Sequence, residues 1–215
     1  VALIISTWIW GNKYNPEYVA KLQRGVARHM REPYEFKVFS PELRYAALLE
    51  QPGCLIRLRM FSPEWQENQG IKPGDKLVCL DLDIVVTGSL DRLFKRPETF
   101  VILSGANSTN PCPFNGSLMM LTAGCHADVW TDFSLEKTRR IKFADYPDDQ
   151  EWLWNKLPDA GTWKCGPNSC GVYAFCKPGW PRDNNLPSDA RLVAFPGWRD
   201  PSKFLAIPWI VQNWT

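Results

Sequence analysis

Gly74-Asp75-Lys76-Leu77-Val78-Cys79-Leu80-Asp81-Leu82-Asp83-Ile84-Val85-Val86-Thr87-Gly88 is the stretch on which the fold turns. Lys72-Pro73-Gly74-Asp75 reads as a turn. Lys76–Leu80, apolar without alternation after its lysine, reads as a strand buried on both faces, the kind that parallel sheets carry. The strand ends in Asp81. Successive side chains of an extended chain point to opposite faces, so the spacing predicts Asp81 and Asp83 on one face and Leu82 on the other. The carboxyl end of a buried strand is where open α/β sheets bind ligands, and two desolvated carboxylates there repel unless a cation joins them. A hard divalent ion, Mn²⁺ or Mg²⁺, takes one or two carboxylates and completes its shell with water and substrate phosphate oxygens. The triplet alone carries no weight, because 13 Asp in 215 residues give an Asp-x-Asp about 0.8 times by chance. Its strand gives it meaning. An acidic loop after a strand is the alternative.

Working outward, strands alternate with helical patterns, which predicts an α/β fold: one Rossmann-like domain with a mostly parallel, mixed central sheet flanked by helices. Val1–Trp8 is the first strand. Asn15 caps a helix that starts with Pro16, carries Tyr18, Leu22 and Val26 on one face and ends near Arg31. Tyr34–Phe39 is a half-buried strand. Further helices are expected at Leu55–Phe61, Gly124–Phe133 and Asp149–Leu157. Strands are expected at Phe100–Leu103, Ser117–Leu121, Val172–Phe175 and Leu192–Phe195. We divide the chain into a nucleotide-binding half, residues 1–105, and an acceptor-side half, 106–215. Tryptophans crowd the end of the chain, and a covering of the sheet edge accounts for them better than a sugar platform does, because large aromatics serve packing first.

Lys plus Arg exceed Asp plus Glu by 25 − 23 = 2, too little to demand a nucleic-acid partner. No apolar run approaches a membrane span. The seven cysteines are odd in number and two lie in apolar runs, so reduced buried thiols and a cytoplasmic location are expected. Asn107, Asn115 and Asn213 begin glycosylation sequons that matter only in a secretory compartment.

The chain resembles nucleotide-sugar-dependent glycosyltransferases of the GT-A fold, in particular the glycogenin-like group and bacterial or viral glycan glycosyltransferases. The resemblance rests on Trp10-Gly11 and Tyr14 after the first strand, Arg57 before the central strand, Asp81-Leu82-Asp83, Phe114-Asn115-Gly116-Ser117, Asp149-Gln150 and the Phe195-Pro196-Gly197 turn. It implies transfer of a sugar from a nucleotide-diphosphate donor, a UDP-sugar, to a hydroxyl of a glycan or glycoprotein. Asp81 and Asp83 would hold the metal, Mn²⁺ or Mg²⁺. Trp10, Gly11, Tyr14 and Leu82 would border the donor nucleotide, with Arg57, Asn115 and Gly116 nearer its phosphates and sugar. Asp149 and Gln150 would stand at the reaction centre as the catalytic pair. The histidine that commonly adds a metal ligand ahead of the last glycine turn is replaced by Ala194, so water, a phosphate oxygen or Asp200 would complete the shell.

Each residue also has a plainer reading. Arg57 and Arg59 alternate with apolar residues and fit a solvated helix edge, which would make Arg59 an internal control for Arg57. Tyr14 fits a hydrophobic staple. Asp148 fits a helix cap whose loss lowers stability, leaving Asp149 for the cleft. Two other functions remain open: a haloacid dehalogenase-type phosphatase with Asp81 as nucleophile, and a non-catalytic carbohydrate-binding module built on the tryptophans.

Overall fold

Two layers of apolar side chains, one on each face of a single six-stranded sheet, organise the molecule. The computed structural model describes residues 1–106, 110–141, 146–167 and 170–215; the Asn107 sequon lies outside them. In chain order the elements are β1 (Leu3–Trp8), α1 (Pro16–His29), β2 (Glu35–Phe39), α2 (Ala46–Leu49), α3 (Pro63–Asn68), β3 (Lys76–Leu80), β4 (Val85–Val86), β5 (Phe100–Ser104) and β6 (Phe114–Thr122). They continue with α4 (Asp128–Thr131), α5 (Leu135–Arg140), α6 (Asp149–Lys156), β7 (Gly161–Lys164), β8 (Val172–Ala174), β9 (Leu192–Ala194) and α7 (Pro208–Asn213). The main sheet has the order β2-β1-β3-β6-β5-β7, and only β6 runs against the rest. The sheet is therefore mixed and mostly parallel, as its buried central strand implies.

Period-two alternation sends Leu77 and Cys79 to one core, with Trp65 of α3 and Trp152 and Leu153 of α6. Val78 and Leu80 go to the other, with Leu22 and Val26 of α1. The side chain of Asn15 caps α1 by accepting from the Glu17 amide at 3.0 Å. A second sheet, β4-β9-β8, carries an aromatic core in which Phe175, Phe195, Trp209 and Trp214 are buried. The covering reading of these tryptophans therefore stands, with Trp198 the exception at 67% exposure. Among the described residues, no helix is long and apolar enough to cross a membrane. All seven cysteines are free thiols, but against expectation only Cys79 and Cys112 are buried, and Cys170 and Cys176 are exposed.

Several local expectations are corrected. Leu55–Phe61 is a 3-10 helix with all seven residues buried, so neither Arg57 nor Arg59 sits on a solvated edge. Three residues per turn put Leu55, Leu58 and Phe61 on one ridge and leave the two arginines on different ridges, each facing its own partners. The expected helix at Gly124–Phe133 shrinks to the four residues of α4, because Gly124 and His126 take left-handed backbone conformations, φ +84° and +56°. The strand expected to start at Ser117 starts at Phe114.

Candidate active site

A cleft of about 460 Å³ opens at the carboxyl ends of β1 and β3. Its floor is Asp81, Leu82 and Asp83, and its walls include Trp10, Tyr14, Arg57, Asn115, Gly116, Asp149 and Gln150. Of the expected donor residues only Gly11 is off the wall; it makes the turn beyond Trp10 at φ +62°. The two aspartates converge, though not by strand alternation. The amide of Asp81 continues the ladder to the Ser117 carbonyl at 3.0 Å, and the chain then bends through a turn in which the Ile84 amide donates to the Asp81 carbonyl at 3.3 Å.

Asp83 is buried, and the Tyr14 hydroxyl donates to its Oδ2 at 2.5 Å, with Lys13 Nζ 4.0 Å away. Burial, and then the charge of Asp81, push its carboxyl up to about 7. Burial and Asp83 together raise the Tyr14 phenol and keep it a donor. Tyr14 is thus a polar partner of the floor. Its ring packs 4.9 Å from Tyr18, whose hydroxyl donates to Asp200 at 2.9 Å. Asp200 in turn accepts from the Ser202 amide at 2.8 Å, capping the turn at Pro201–Phe204.

Arg57, only 4% exposed, ties the cleft together. Its Nε donates to Asp149 Oδ2 at 2.8 Å, Nη2 lies 2.8 Å from the same oxygen, and Nη1 donates to the Gly116 carbonyl at 2.8 Å and to Asp81. Against the cost of burial, Asp149 and Asp81 raise the guanidinium further and keep it charged. Gly116 makes room for it: a Cβ there would meet Arg57 Nη2 and come within 3.2 Å of Asp149 Oδ2. The glycine sits where the pairing of β5 with β6 slips, from Ile102 opposite Met119 to Leu103 opposite Asn115. Irregularities of this kind re-aim side chains at functional sites. Asn115 braces the slip by accepting from the Ser117 amide at 3.0 Å; because it is buried here, its sequon offers no accessible amide.

Asp148 caps α6, its Oδ1 accepting from the Glu151 amide at 2.9 Å, and so frees Asp149 to face Arg57. Burial, then Asp149, push the Asp148 carboxyl up to about 7. Burial also raises Asp149, against the opposing pull of Arg57. Arg59 is bound elsewhere, by Glu42 at 2.9 Å and the Tyr45 hydroxyl, its guanidinium 4.2 Å from the Tyr45 ring. It is a second buried structural arginine and cannot serve as a neutral control. Gly53 was not legible as a site residue. A Cβ there would lie 2.7 Å from Asp148 Cα, so the glycine lets its loop close on the start of α6.

The phosphatase reading fits poorly. Asp81 is engaged by Arg57 and ends the third strand, beside antiparallel β6. Asp148 and Asp149 open a helix rather than follow a buried strand.

No protein-family profile matches the sequence, and no curated protein matches it. Solved structures do match in fold. The galactosyltransferase LgtC, in complex with donor and acceptor sugar analogs, aligns with TM-score 0.57 and 15% identity over 99% of this chain and 96% of its own. The glycosyltransferase GlyE of Streptococcus pneumoniae TIGR4 aligns with TM-score 0.63 and 12% identity over 99% of this chain, which spans 61% of the GlyE chain. A glycosyltransferase involved in glycosylation of the major capsid of PBCV-1 aligns with TM-score 0.53 and 13% identity over 92% of this chain and 94% of its own. The sheet order, the cleft and these likenesses agree, and the chain has the GT-A fold of these glycosyltransferases.

Proposed function

We propose that the chain is a metal-dependent glycosyltransferase that moves a sugar from a UDP-sugar to a hydroxyl of a glycan or glycoprotein. The observation that carries this reading is the convergence of Asp81 and Asp83 on the cleft floor, where burial and mutual repulsion raise Asp83. The donor set fits a hard divalent cation. Two carboxylate oxygens are what Mg²⁺ or Mn²⁺ takes from a protein when substrate phosphates supply other ligands. Among the described residues no third His, Cys, Asp or Glu joins them, and Ala194 is buried within β9 with no ligating atom. Water and the donor diphosphate would complete the shell.

A bound Mn²⁺ or Mg²⁺ would supply positive charge to the departing diphosphate. Transfer forms a bond from the acceptor oxygen to the anomeric carbon, breaks the bond from that carbon to the diphosphate oxygen, and releases the hydroxyl proton. In this scheme Trp10 and Tyr14 wall the nucleotide end, and Asn115 and Gly116 border the sugar. Asp149 and Gln150 hydrogen-bond sugar hydroxyls and hold the anomeric carbon in line with the acceptor, which is a large part of the barrier for a two-substrate reaction. Arg57 fixes Asp149 in that position.

Thermal shift and calorimetry across a panel of nucleotide sugars, with Mn²⁺ and with EDTA, test the reading. One UDP-sugar should raise Tm only with metal, because a ligand that binds the native state stabilises it. Undiminished UDP binding in EDTA would remove the metal site. Failure to bind or turn over any nucleotide sugar would remove the function.

A further inference from the structure

Each aspartate of the cleft floor has its own side-chain cation, and the two cations differ in freedom. Arg57, which serves Asp81, is buried and held by Asp149 and the Gly116 carbonyl. Lys13, which serves Asp83, stands on the loop between β1 and α1 and lines the cleft. Its side chain is 65% exposed against 8% for its partner, and its Nζ lies 4.0 Å from Asp83 Oδ2 and 4.6 Å from the centre of the Tyr14 ring. Among the described residues it is the one cation at salt-bridge distance of Asp83, and no other carboxylate pairs with it. Lys13 and the Tyr14 hydroxyl both address Oδ2 of Asp83, and Arg57 addresses Oδ1 of Asp81. Among the described residues, Asp83 Oδ1 and Asp81 Oδ2 therefore keep no protein partner. Stability does not explain the lysine, because exposed ion pairs are worth little and Tyr14 already donates to Asp83.

We propose that Lys13 is a movable counter-charge: it pairs with Asp83 in the protein alone, and it transfers to an anionic phosphate oxygen of the nucleotide diphosphate when a divalent cation takes Asp83. The inference rests on the metal-dependent glycosyltransferase reading. Electrostatics gives its two halves opposite signs. A divalent ion on the floor carboxylates neutralises Asp83 and repels the ammonium beside it, so Lys13 opposes the cation while no nucleotide is bound. A diphosphate brings negative charge to both, and Lys13 then supports the nucleotide through a charge-assisted hydrogen bond. The flexible stem of a lysine lets its ammonium swing without moving the backbone, whereas Arg57 is locked by its buried partners. Lys13 thereby makes cation and nucleotide depend on each other.

The test takes the intact chain with Mn²⁺, uridine and UDP as probes. The variants are Lys13→Met, Lys13→Arg and, as a control, Lys95→Met, at an exposed lysine that pairs with Glu32 and does not line the cleft. The EPR signal of free Mn²⁺ gives the cation Kd without nucleotide, and calorimetry gives the Kd for UDP in saturating Mn²⁺. Lys13→Met should tighten Mn²⁺ alone by up to about fivefold, the range of an exposed ion pair. The same variant should weaken UDP by about tenfold, the value of one charge-assisted contact. Uridine, which carries no phosphate, should bind Lys13→Met and wild type alike. Lys13→Arg keeps the charge and should stay near wild type in both constants, as should Lys95→Met. Two constants that move in the same direction, as a disturbed cleft would give, would overturn the proposal, and so would two that do not move. Equal weakening of uridine and UDP would overturn it by giving Lys13 to the nucleoside. If wild type binds UDP equally well in EDTA, the metal reading falls and Lys13 falls with it. If wild type binds UDP only with Mn²⁺ and Lys13→Met does not split the two constants, the metal reading stands and the role of Lys13 falls alone.

Discussion

Replacing Arg57 by leucine removes the one cation between two carboxylates. In the wild type the guanidinium meets Asp149 through Nε and Nη2, both at 2.8 Å, and the Gly116 carbonyl at 2.8 Å. Asp149 is 3% exposed, so the variant leaves an uncompensated carboxylate in the core, whereas the Asp81 side chain is 31% exposed and water compensates much of its loss. The Asp149 half therefore sets the magnitude: breaking a buried pair by removing one partner costs about 3–5 kcal/mol, or roughly 2–4 °C of Tm for each kcal/mol in a chain of this size. The cost depends on pH. Burial already raises Asp149, and loss of Arg57 raises it further. A carboxyl with a raised folded pKa binds more protons folded than unfolded, so its penalty is absent below the unfolded value and grows as pH rises. Urea unfolding of Arg57→Leu at pH 5 and pH 8 should show the larger deficit at pH 8. Arg57→Lys keeps the charge but not the fork and should fall between the two proteins. A Leu variant within about 1 kcal/mol of wild type at both pH values, the range of an exposed ion pair, would refute the buried hub.

Asp83→Asn should stay folded, since the Tyr14 hydroxyl can donate to the amide oxygen, yet lose Mn²⁺-dependent UDP binding in calorimetry. Gly116→Ala should cost about 1–3 kcal/mol in urea unfolding by forcing Arg57 aside, and should weaken donor turnover more than UDP affinity; a neutral substitution would mean that the guanidinium is free to move. Asp148→Asn keeps the cap and removes a carboxyl raised to about 7. It should match wild type near pH 4 and be more stable at pH 8, on the order of 4 kcal/mol, reversing the loss of stability expected from capping alone; guanidinium unfolding at the two pH values checks it.

What was legible in the sequence was what local pattern controls. Lys76–Leu80 announces a doubly buried strand because every side chain is apolar after the lysine, and Asp148-Asp149 announces a cap followed by a helix. Arg57 was not legible in the same way. It looks like a solvated alternation because the partners that draw it inside, Asp81 and Asp149, lie 24 and 92 residues along the chain. The strand β7 was missed because Gly161–Lys164 is a four-residue edge strand with one large apolar side chain. The convergence of Asp81 and Asp83 was anticipated for the wrong local reason, since the turn after β3 produces it rather than the pleat.

Ala194 stands where a histidine ligand was expected. Its neighbours in the second sheet are fixed by pairing, Ala174 opposite it on β8, and its side chain is fully buried. A larger ligating side chain at this position would have to displace packed core, at a cost of about 1–3 kcal/mol, so the small residue and the tight second sheet go together. The cleft floor then has two carboxylates where a third ligand would otherwise help hold the ion, and a cation held there depends more on the donor's own phosphate oxygens. Metal and nucleotide should therefore bind with strong mutual dependence. Because such coupling is reciprocal, saturating UDP should tighten Mn²⁺ binding by the same factor as Mn²⁺ tightens UDP. Calorimetric titrations in both orders measure the two factors, and strong Mn²⁺ binding by the protein alone would mean that a third protein ligand exists.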